Sequence, residues 1–268
     1  MRISQKFNSN DILVCRDQQW LEKQRVAGKV VAGALSLLEN LVKEKTKLTL
    51  LELSKIAEDF IIQNKCTPTF KGYKGFPEAV CCSVNKQLVH GIPGNNCLQE
   101  GDVVSFDLGA TFEGVIADSA NTLIYGEAVS KEHINLINTT REALYAAINK
   151  IKIGSQLGVI GDTIYKIGKR NGYGVVHHYG GHGITENNPH CFPFVSNKDE
   201  INNGIRFQPG VTIAIEPLFV LGGDNFTYTG NDGWTVLTRN ISCHMEHTIF
   251  IHEDKVEILT LREDENRI

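Results

Sequence analysis

Residues 103–124 are the segment that constrains the fold most, because two apolar runs there flank a short polar turn. Valine, isoleucine and phenylalanine are common in strands, so the segment is predicted to be a β-hairpin with both strands in the core. Two aspartates, Asp107 and Asp118, interrupt the apolar pattern. We place the turn centre at Phe112 and Glu113, which puts the aspartates directly opposite each other, with Cβ atoms about 4.5–5.5 Å apart.

Two carboxylates at that separation repel each other unless a proton or a cation lies between them. One alternative is that one aspartate belongs to the turn and the other is a solvated charge at a sheet edge. The surrounding apolar residues, among them Val104 and Ile116, favour burial of both aspartates. A metal ion is the usual partner for two ionised carboxylates, so the hairpin predicts a metal site.

The rest of the chain is divided by helical periodicity and strand patterns. Helices are predicted at 18–43, 49–64, 131–152 and 156–171. Strands are predicted within 79–125 and at 173–178, 211–221, 234–238 and 242–252, with a loop at 65–78. This order predicts an α+β fold with a central antiparallel sheet covered by helices. We expect a single catalytic domain over 1–268, with 1–17 as an N-terminal tail.

The composition excludes several classes of function. A net charge of −4 over 268 residues gives no electrostatic basis for a nucleic-acid partner. The seven cysteines form an odd set without a Cys-x-x-Cys pair, which argues against a disulfide framework and a zinc finger. No segment has the apolar length of a signal peptide or a membrane span, so we expect a soluble cytoplasmic protein.

Three further residues are candidates for polar roles in a site. His182 lies in a Gly-Gly-His-Gly-Ile segment that we predict to be a glycine-rich turn, where a lone histidine is more often structural. Glu216 ends an apolar strand, either as a buried carboxylate that needs a partner or as a solvated strand end. Glu246 lies in a predicted strand at 245–251, on the face that it shares with His244.

Asp107, Asp118, His182, Glu216 and Glu246, in this chain order, resemble the metal-ligand set of the methionine aminopeptidases. The segments around them match that family as well. NKQLVHGIP resembles its histidine segment, GGHGI its ligand-histidine turn, IEP and MEHTI its glutamate motifs, and ILTLRED its final segment. GYKGFPEAVC resembles the substrate-pocket segment of the type 1 branch. The resemblance extends from about residue 20 to residue 264.

This resemblance implies the pita-bread fold, in which two pseudo-symmetric halves surround the central antiparallel sheet and the site lies between them. Two divalent ions would be bound (Mn, Fe(II), Co or Zn), because an oxygen-rich site with one imidazole suits any of them. Asp107 would chelate one ion, and Asp118 and Glu246 would bridge both. His182 and Glu216 would complete the ligand set of the other ion.

The resemblance also implies the catalytic roles. The ions would activate a water molecule, and Glu216 would act as the general base. His90 and His190 would contact the substrate and stabilise the tetrahedral intermediate. The methionine side chain would occupy a pocket formed by Tyr73, Phe76, Cys81 and Trp234. The implied activity is the metal-dependent removal of the N-terminal methionine from new polypeptides.

Departures from the family pattern bear on specificity. Thr185 stands where the family has a glycine after Gly-His-Gly-Ile, and one extra residue lies between His182 and His190. Phe70 replaces a cysteine-like pocket residue, which we expect to narrow the pocket. Gly109 stands where the type 1 branch often has a hydroxyl residue.

The expected partners are the N-termini of nascent polypeptides, and we expect a monomer that binds neither DNA nor membranes. The basic loop at 43–47 could contact ribosomal RNA, although a short lysine cluster is more often solvated surface. Three alternatives are an Xaa-Pro peptidase or prolidase, a catalytically silent binding protein of the same fold, and an active paralogue with altered specificity. The short stretch before the first site strand leaves little room for the extra N-terminal domain of prolidases, and the full set of ligand types argues against a silent protein.

Overall fold

The computed structural model describes residues 4–6, 12–263 and 265. The described chain contains four α-helices, which agree with the predicted helices to within two residues at each end. They are α1 (Gln18–Lys43), α2 (Leu50–Gln63), α3 (Lys131–Lys150) and α4 (Gly158–Arg170). None of these helices is both long enough and apolar enough to cross a membrane.

The strands form one group before α3 and another after α4. The first group is β1 (Ser4–Lys6), β2 (Ile12–Val14), β3 (Thr67–Pro68), β4 (Val80–Val84), β5 (Gln87–Val89), β6 (Val103–Phe112) and β7 (Val115–Ile124). The second group is β8 (Gly174–Val175), β9 (Gly180–Thr185), β10 (Asn188–Ser196), β11 (Thr212–Ile215), β12 (Leu218–Val220), β13 (Thr227–Thr229), β14 (Val236–Thr238), β15 (Ser242–His244), β16 (His247–Ile251) and β17 (Val256–Ile258). Part of the predicted tail forms the β1–β2 hairpin, and residues 1–3 and 7–11 lie outside the described residues.

The first two helices begin at residues that satisfy their free backbone N–H groups. Asp17 caps α1, because its Oδ1 accepts a hydrogen bond from the backbone N–H of Trp20 at 2.9 Å. Thr49 and Glu52 form a reciprocal capping box at the start of α2. Each cap contributes about 1 kcal/mol to the stability of its helix.

Each helix pair covers its own hydrophobic core, as the predicted two halves require. Under α1 and α2 lies a cluster that includes Leu35, Leu53 and Phe106. Under α3 and α4 lies a second cluster that includes Leu144 and Ile213. All strand pairs in the described chain are antiparallel. The two largest sheets contain β3, β6, β4 and β7, and β10-β9-β11-β16-β17 in that order; the smaller ones are β1-β2, β15-β12-β8 and β13-β14-β5.

The β6–β7 hairpin turns one residue later than predicted. Glu113 and Gly114 are the two turn residues, with φ values of 47° and 82°, and Phe112 pairs with Val115. Two positive φ values define the hairpin turn that matches strand twist, and glycine adopts one of them without strain. The predicted turn centre at Phe112 and Glu113 is therefore wrong, and so is the direct pairing of the two aspartates.

The predicted glycine-rich turn around His182 is also wrong, because these residues form β9 between β10 and β11. Its glycines are needed there, since a Cβ at Gly181 would overlap the carbonyl oxygen of Ala214 and one at Gly183 the carbonyl oxygen of Phe192. The neighbouring strand β10 was not predicted, because its polar residues and prolines hide the strand pattern. The predicted strand 242–252 breaks at Met245 and Glu246, which separates β15 from β16.

Candidate metal centre

The five predicted ligands come from five separate places on the strands. Asp107 lies on β6, Asp118 on β7 and His182 on β9. Glu216 directly follows β11, and Glu246 lies in the two-residue gap between β15 and β16. All five side chains line one cavity of about 420 Å³. The fold thus brings together residues that the sequence spreads over more than half of the chain.

The Nε2 atom of His182 faces three carboxylates. It lies 3.9 Å from Asp118 Oδ2, 3.8 Å from Glu216 Oε1 and 3.9 Å from Glu246 Oε1. These separations are too long for hydrogen bonds but suit donor atoms around a common ion, each about 2.0–2.2 Å from it. The other ring nitrogen, Nδ1, lies 3.3 Å from the carbonyl oxygen of Gly183, a contact typical of metal-binding histidines.

The donor atoms form two overlapping groups. His182, Glu216 and Glu246 each place one donor atom within 4.8 Å of the others, and so do Asp107, Asp118 and Glu246. A further group joins Asp118 and His182 to His190. Carboxylate and imidazole donors of this kind fit a divalent metal ion. The first two groups contain all five predicted ligands, whereas the third includes His190, which was predicted to contact the substrate.

Buried carboxylate oxygens without a partner support the same conclusion. Asp107 Oδ1, Asp118 Oδ1 and Glu246 Oε1 are buried and accept no hydrogen bond from the described residues. The three side chains are 8%, 2% and 2% exposed. Burying ionised carboxylates costs several kcal/mol each unless a cation or hydrogen bonds compensate. The residues present therefore fit a bound cation.

The pKa values of the carboxyl groups reflect this burial. Burial raises the pKa of Asp107 to about 7. It also raises the pKa values of Asp118 and Glu246 well above the ordinary range, and the other carboxylates of the cluster add to the effect. Burial alone would raise the pKa of Glu216 too, but the imidazoles, with His244 foremost, lower it below its ordinary value. Without a metal ion, protons bound to these carboxyl groups neutralise their negative charge instead.

The backbone at the ligands is held by hydroxyl groups. The Thr248 hydroxyl accepts a hydrogen bond from Asp118 N at 2.9 Å and donates one to Asp118 O at 2.7 Å. The backbone N–H of Glu246 donates to Ala120 O at 3.0 Å, and the Ser119 hydroxyl donates to Glu246 O. These bonds connect β7 to the segment around Glu246, so Asp118 and Glu246 are positioned as one unit.

The two predicted substrate-contacting histidines also line the cavity. The ring of His190 lies 4.4 Å from that of His182 and 5.4 Å from that of Tyr73, between centroids. The ring of His90 lies 6.4 Å from that of Trp234. Burial lowers the pKa of His90. The surrounding protein desolvates the His190 ring and, together with the nearby His182 imidazole, lowers its pKa. Both rings are therefore neutral at neutral pH and can donate one hydrogen bond each.

An apolar pocket adjoins the donor cluster. Phe70, Phe76 and Cys81 are buried there, with Ile92 and Trp234 packed against them. The rings of Phe76 and Trp234 meet edge to face at 5.3 Å. Cys81 pairs with Asp107 in the β4–β6 ladder, so the pocket wall directly borders the metal donors. Tyr73, the remaining predicted pocket residue, is half-buried, and its hydroxyl contacts Asn188 Oδ1 at 3.4 Å.

Residues 22–253 match the model of metallopeptidase family M24. A methionine aminopeptidase from Mycoplasma capricolum subsp. capricolum is 40% identical over 254 residues, which are 94% of this chain and 100% of that relative. Methionine aminopeptidase 1 of Bacillus subtilis is 37% identical over 93% of this chain and 99% of that relative. The chain belongs to metallopeptidase family M24.

Solved structures agree with this assignment. The crystal structure of a methionine aminopeptidase from Thermotoga maritima superposes with a TM-score of 0.88 at 35% identity, covering 94% of this chain and 100% of that one. A prolidase from Pyrococcus furiosus, at 21% identity and a TM-score of 0.73, shares the fold, and the match covers 66% of its length. The predicted pita-bread fold is confirmed. The prediction of a metal-dependent peptidase is confirmed too.

Sequence reasoning missed several residues that line the cavity of this M24 peptidase. Lys74, His178 and Phe194 are exposed there, and Tyr179 is half-buried. His244 is the deepest of the missed residues, at 2% exposed. Its position two residues before Glu246 on the same predicted face was the available signal. That signal was insufficient, because the importance of His244 depends on contacts with residues far away in sequence.

Proposed function

We propose that this protein removes N-terminal methionine from polypeptides with a centre of two divalent metal ions. The observation that carries the proposal is the cluster of buried donors around His182 Nε2, which borders an apolar pocket. The relatives named methionine aminopeptidase support the substrate class. Their identity of 37–40% favours this activity over that of the prolidases, which share the fold at about half that identity.

Two ions rather than one are supported by the overlap of the donor groups. His182, Glu216 and Glu246 would hold one ion, and Asp107, Asp118 and Glu246 the other, with Glu246 common to both. Such ions supply Lewis-acid chemistry, which polarises a carbonyl group and lowers the pKa of water. The donor set, rich in oxygen with one imidazole, suits Mn, Fe(II), Co or Zn.

The protein's own residues would manage the protons and the developing charge. The pKa of Glu216 is lowered by the neighbouring imidazoles, so this carboxylate is ionised at neutral pH and can accept a proton from the attacking water. His90 and His190 are neutral donors at the same cavity. Their N–H groups would stabilise the oxyanion of the tetrahedral intermediate.

The apolar pocket would select the methionine side chain. Methionine is unbranched and polarizable, and it makes favourable contacts with aromatic rings such as those of Phe76 and Trp234. Burial and the nearby Asp107 raise the pKa of Cys81 well above its ordinary value. The thiol is therefore uncharged and forms part of the apolar pocket wall. Phe70 is 6% exposed and fills part of the pocket, which supports the expected narrowing. Pockets of this kind separate close apolar competitors by about 1–3 kcal/mol.

Nascent polypeptide N-termini are the proposed substrates, and they would enter by the exposed side of the cavity near Lys74 and His178. A ribosome contact through the loop at 43–47 has less support, because Lys43 pairs with Glu39 and Lys45 with Glu100 within the chain. The monomeric state and the cytoplasmic location stay predictions.

Hydrolysis assays test the proposed function. The chelated protein is incubated with Met-Ala-Ser, Ala-Pro and Met-Pro peptides, before and after Mn, Co, Fe(II) or Zn is restored. Metal-dependent release of methionine from Met-Ala-Ser is the expected result, and Asp118→Asn should abolish it. Release only ahead of proline would assign the protein to the Xaa-Pro peptidases. No release with any metal would contradict the proposal.

A further inference from the structure

His244 lies beside the donor cluster but is not one of the predicted ligands. It ends β15 and is 2% exposed. Its Nε2 atom lies 3.4 Å from Glu216 Oε2 and 3.7 Å from Glu246 Oε2. Neither ring nitrogen makes a hydrogen bond to any residue that the structure describes. A buried imidazole that faces two carboxylates without a bond to either calls for a function.

The two glutamates divide their oxygens between two imidazoles. Both Oε1 atoms face His182 Nε2, at 3.8 Å from Glu216 and 3.9 Å from Glu246. Both Oε2 atoms face His244 Nε2. His244 therefore contacts the oxygens that the His182 side of the centre does not use, and it can determine how each carboxylate is turned.

The surroundings of Nδ1 distinguish a hydrogen-bond donor from a metal ligand. A ligating histidine usually donates its other N–H to a carbonyl or carboxylate, as His182 Nδ1 can to Gly183 O at 3.3 Å. His244 Nδ1 has no such acceptor among the described residues. A proton on Nε2 instead points at two carboxylate oxygens. The geometry favours the Nε2–H tautomer, which can donate but cannot ligate through that atom.

The backbone of His244 is held firmly enough for this role. The Thr122 hydroxyl accepts a hydrogen bond from His244 N at 3.1 Å and donates one to His244 O at 2.5 Å. Thr122 in turn contacts the Ser105 hydroxyl at 2.8 Å. The backbone of His244 is thereby fixed relative to β6 and β7, the strands that carry the two aspartates.

We infer that His244 is a positioning residue, whose Nε2–H orients Glu216 and Glu246 so that their Oε1 atoms face the ion at His182. This inference rests on the proposed metal centre. It adds to that centre a hydrogen-bond donor that the five predicted ligands do not include. Loss of an outer donor of this kind typically lowers metal affinity by about 10- to 100-fold.

Two variants and a matched control test the role in the metal-free full chain titrated with Co(II) by calorimetry. His244→Leu removes the donor, His244→Gln keeps an amide N–H, and His133→Leu removes an imidazole remote from the cavity. We expect His244→Leu to bind Co(II) about 10- to 100-fold more weakly, while His244→Gln and His133→Leu stay close to wild type. Wild-type affinity in a folded His244→Leu protein would overturn the role.

Two spectroscopic measurements keep the inference testable if His244→Leu does not fold. Long-range ¹H–¹⁵N spectra of the metal-free wild type should show a proton on His244 Nε2, and an Nε2 atom that carries no proton would overturn the inference. In the Co(II)-loaded protein, the d–d absorption spectrum, which reports the set of atoms bound to the ion, should be the same in wild type and His244→Gln. A changed spectrum would identify His244 as a ligand and overturn the positioning role. Failure of the wild type to bind Co(II) would instead contradict the metal centre itself.

Discussion

Asp107 and Asp118 lie diagonally across the β6–β7 hairpin, because Asp107 pairs with Ala120 and Asp118 pairs with Gly109. The offset of two residues keeps both side chains on one face of the sheet. Diagonal neighbours are about 7–8 Å apart at their backbones, farther than directly opposed residues. The two carboxylates can therefore converge on a position between them, and their donor atoms lie within 4.8 Å of each other.

Asp118→Asn should remove the centre's ability to hold metal. The substitution keeps the shape of the side chain but removes the charge that adjoins both donor groups. We expect metal affinity and the rate of methionine release to fall by more than about 100-fold, beyond the loss typical of an outer-shell change. Metal content after dialysis and kcat/KM for Met-Ala-Ser measure the two effects. Asp162→Asn, at a half-buried carboxylate of α4 that pairs with Lys166 and does not line the cavity, is the matched control. Stoichiometric metal in Asp118→Asn would refute the ligand assignment.

Metal affinity should rise as the pH increases through about 7. The raised pKa of Asp107, about 7, means that the metal-free site retains protons that an incoming ion must displace. In the metal-free protein, the contribution of Asp107 to folding stability changes with pH in the opposite direction. A carboxyl group with a raised folded-state pKa contributes stability below its ordinary value of 3.8, and this contribution is lost as the pH rises through about 7.

Calorimetric titration with Mn(II) between about pH 5.5 and about pH 8 tests this dependence. Repeating the titration in buffers with different ionisation enthalpies counts the protons released. We expect proton release to be largest at the acidic end of the range. An affinity that does not change with pH would show that the carboxylates are already ionised in the metal-free site.

The sequence predicts those elements of the fold that depend on local residue patterns, such as the apolar periodicity of a helix. The apolar periodicity of α1 runs from Gln18 to Lys43, and both ends were predicted correctly. The hairpin was predicted, but its turn was misplaced by one residue, because the backbone conformations of Glu113 and Gly114 decide the register. The strand β9 was missed because its glycines suggest a turn when read alone. Glycine is required at these positions because β10 and β11 approach β9 closely, and this approach is a tertiary contact.

The site was more predictable than the sheet that carries it. The five predicted ligands and their order were visible in short motifs, and the structure places all five residues in one cavity. His244 was seen only as a neighbour of Glu246 on a strand face. Its contact with Glu216, 28 positions earlier in the chain, exists only after β12 and β15 pair. Contacts of this kind depend on the register of distant strands, which local pattern does not determine.

Glu265 should stabilise the protein except at strongly acidic pH. Burial alone would raise its pKa, but the His247 imidazole and the Arg262 guanidinium lower it to about 2. A lowered pKa contributes stability above the ordinary value of 4.5, and the contribution is lost as the pH falls toward about 2. Glu265→Gln should therefore reduce the free energy of unfolding by no more than about 3 kcal/mol at neutral pH, and by much less near pH 3.

Urea unfolding of wild type and Glu265→Gln at a series of pH values measures this difference. The exposed neighbour Glu263 provides the control Glu263→Gln, which should change stability little at any pH. An equal loss for Glu265→Gln at all pH values would mean that packing, rather than the charge, is what the side chain contributes.

Phe70→Ala should widen the methionine pocket. The ring is buried against Phe76 and Cys81, so its removal leaves space that a methionine side chain does not fill. We expect kcat/KM for Met-Ala-Ser to fall about 10- to 100-fold, with a relative gain for Phe-Ala-Ser. Phe226→Ala, at an aromatic residue 47% exposed and outside the cavity, is the control. An unchanged ratio of the two substrates would show that Phe70 does not limit the pocket.

Gly181→Ala should disturb the metal centre through the backbone. A Cβ at this position would overlap the carbonyl oxygen of Ala214 on β11, so β9 has to move away from β11 to accept it. Overpacking of this kind costs about 1–3 kcal/mol or more, and the displacement carries His182 with it. We expect a lower Tm and weaker metal binding together. At Gly94 an added Cβ meets only the end of the Asn96 side chain, at 3.1 Å, so Gly94→Ala is the control and should change neither property. Full metal affinity in a destabilised Gly181→Ala protein would mean that His182 keeps its position independently of the spacing between β9 and β11.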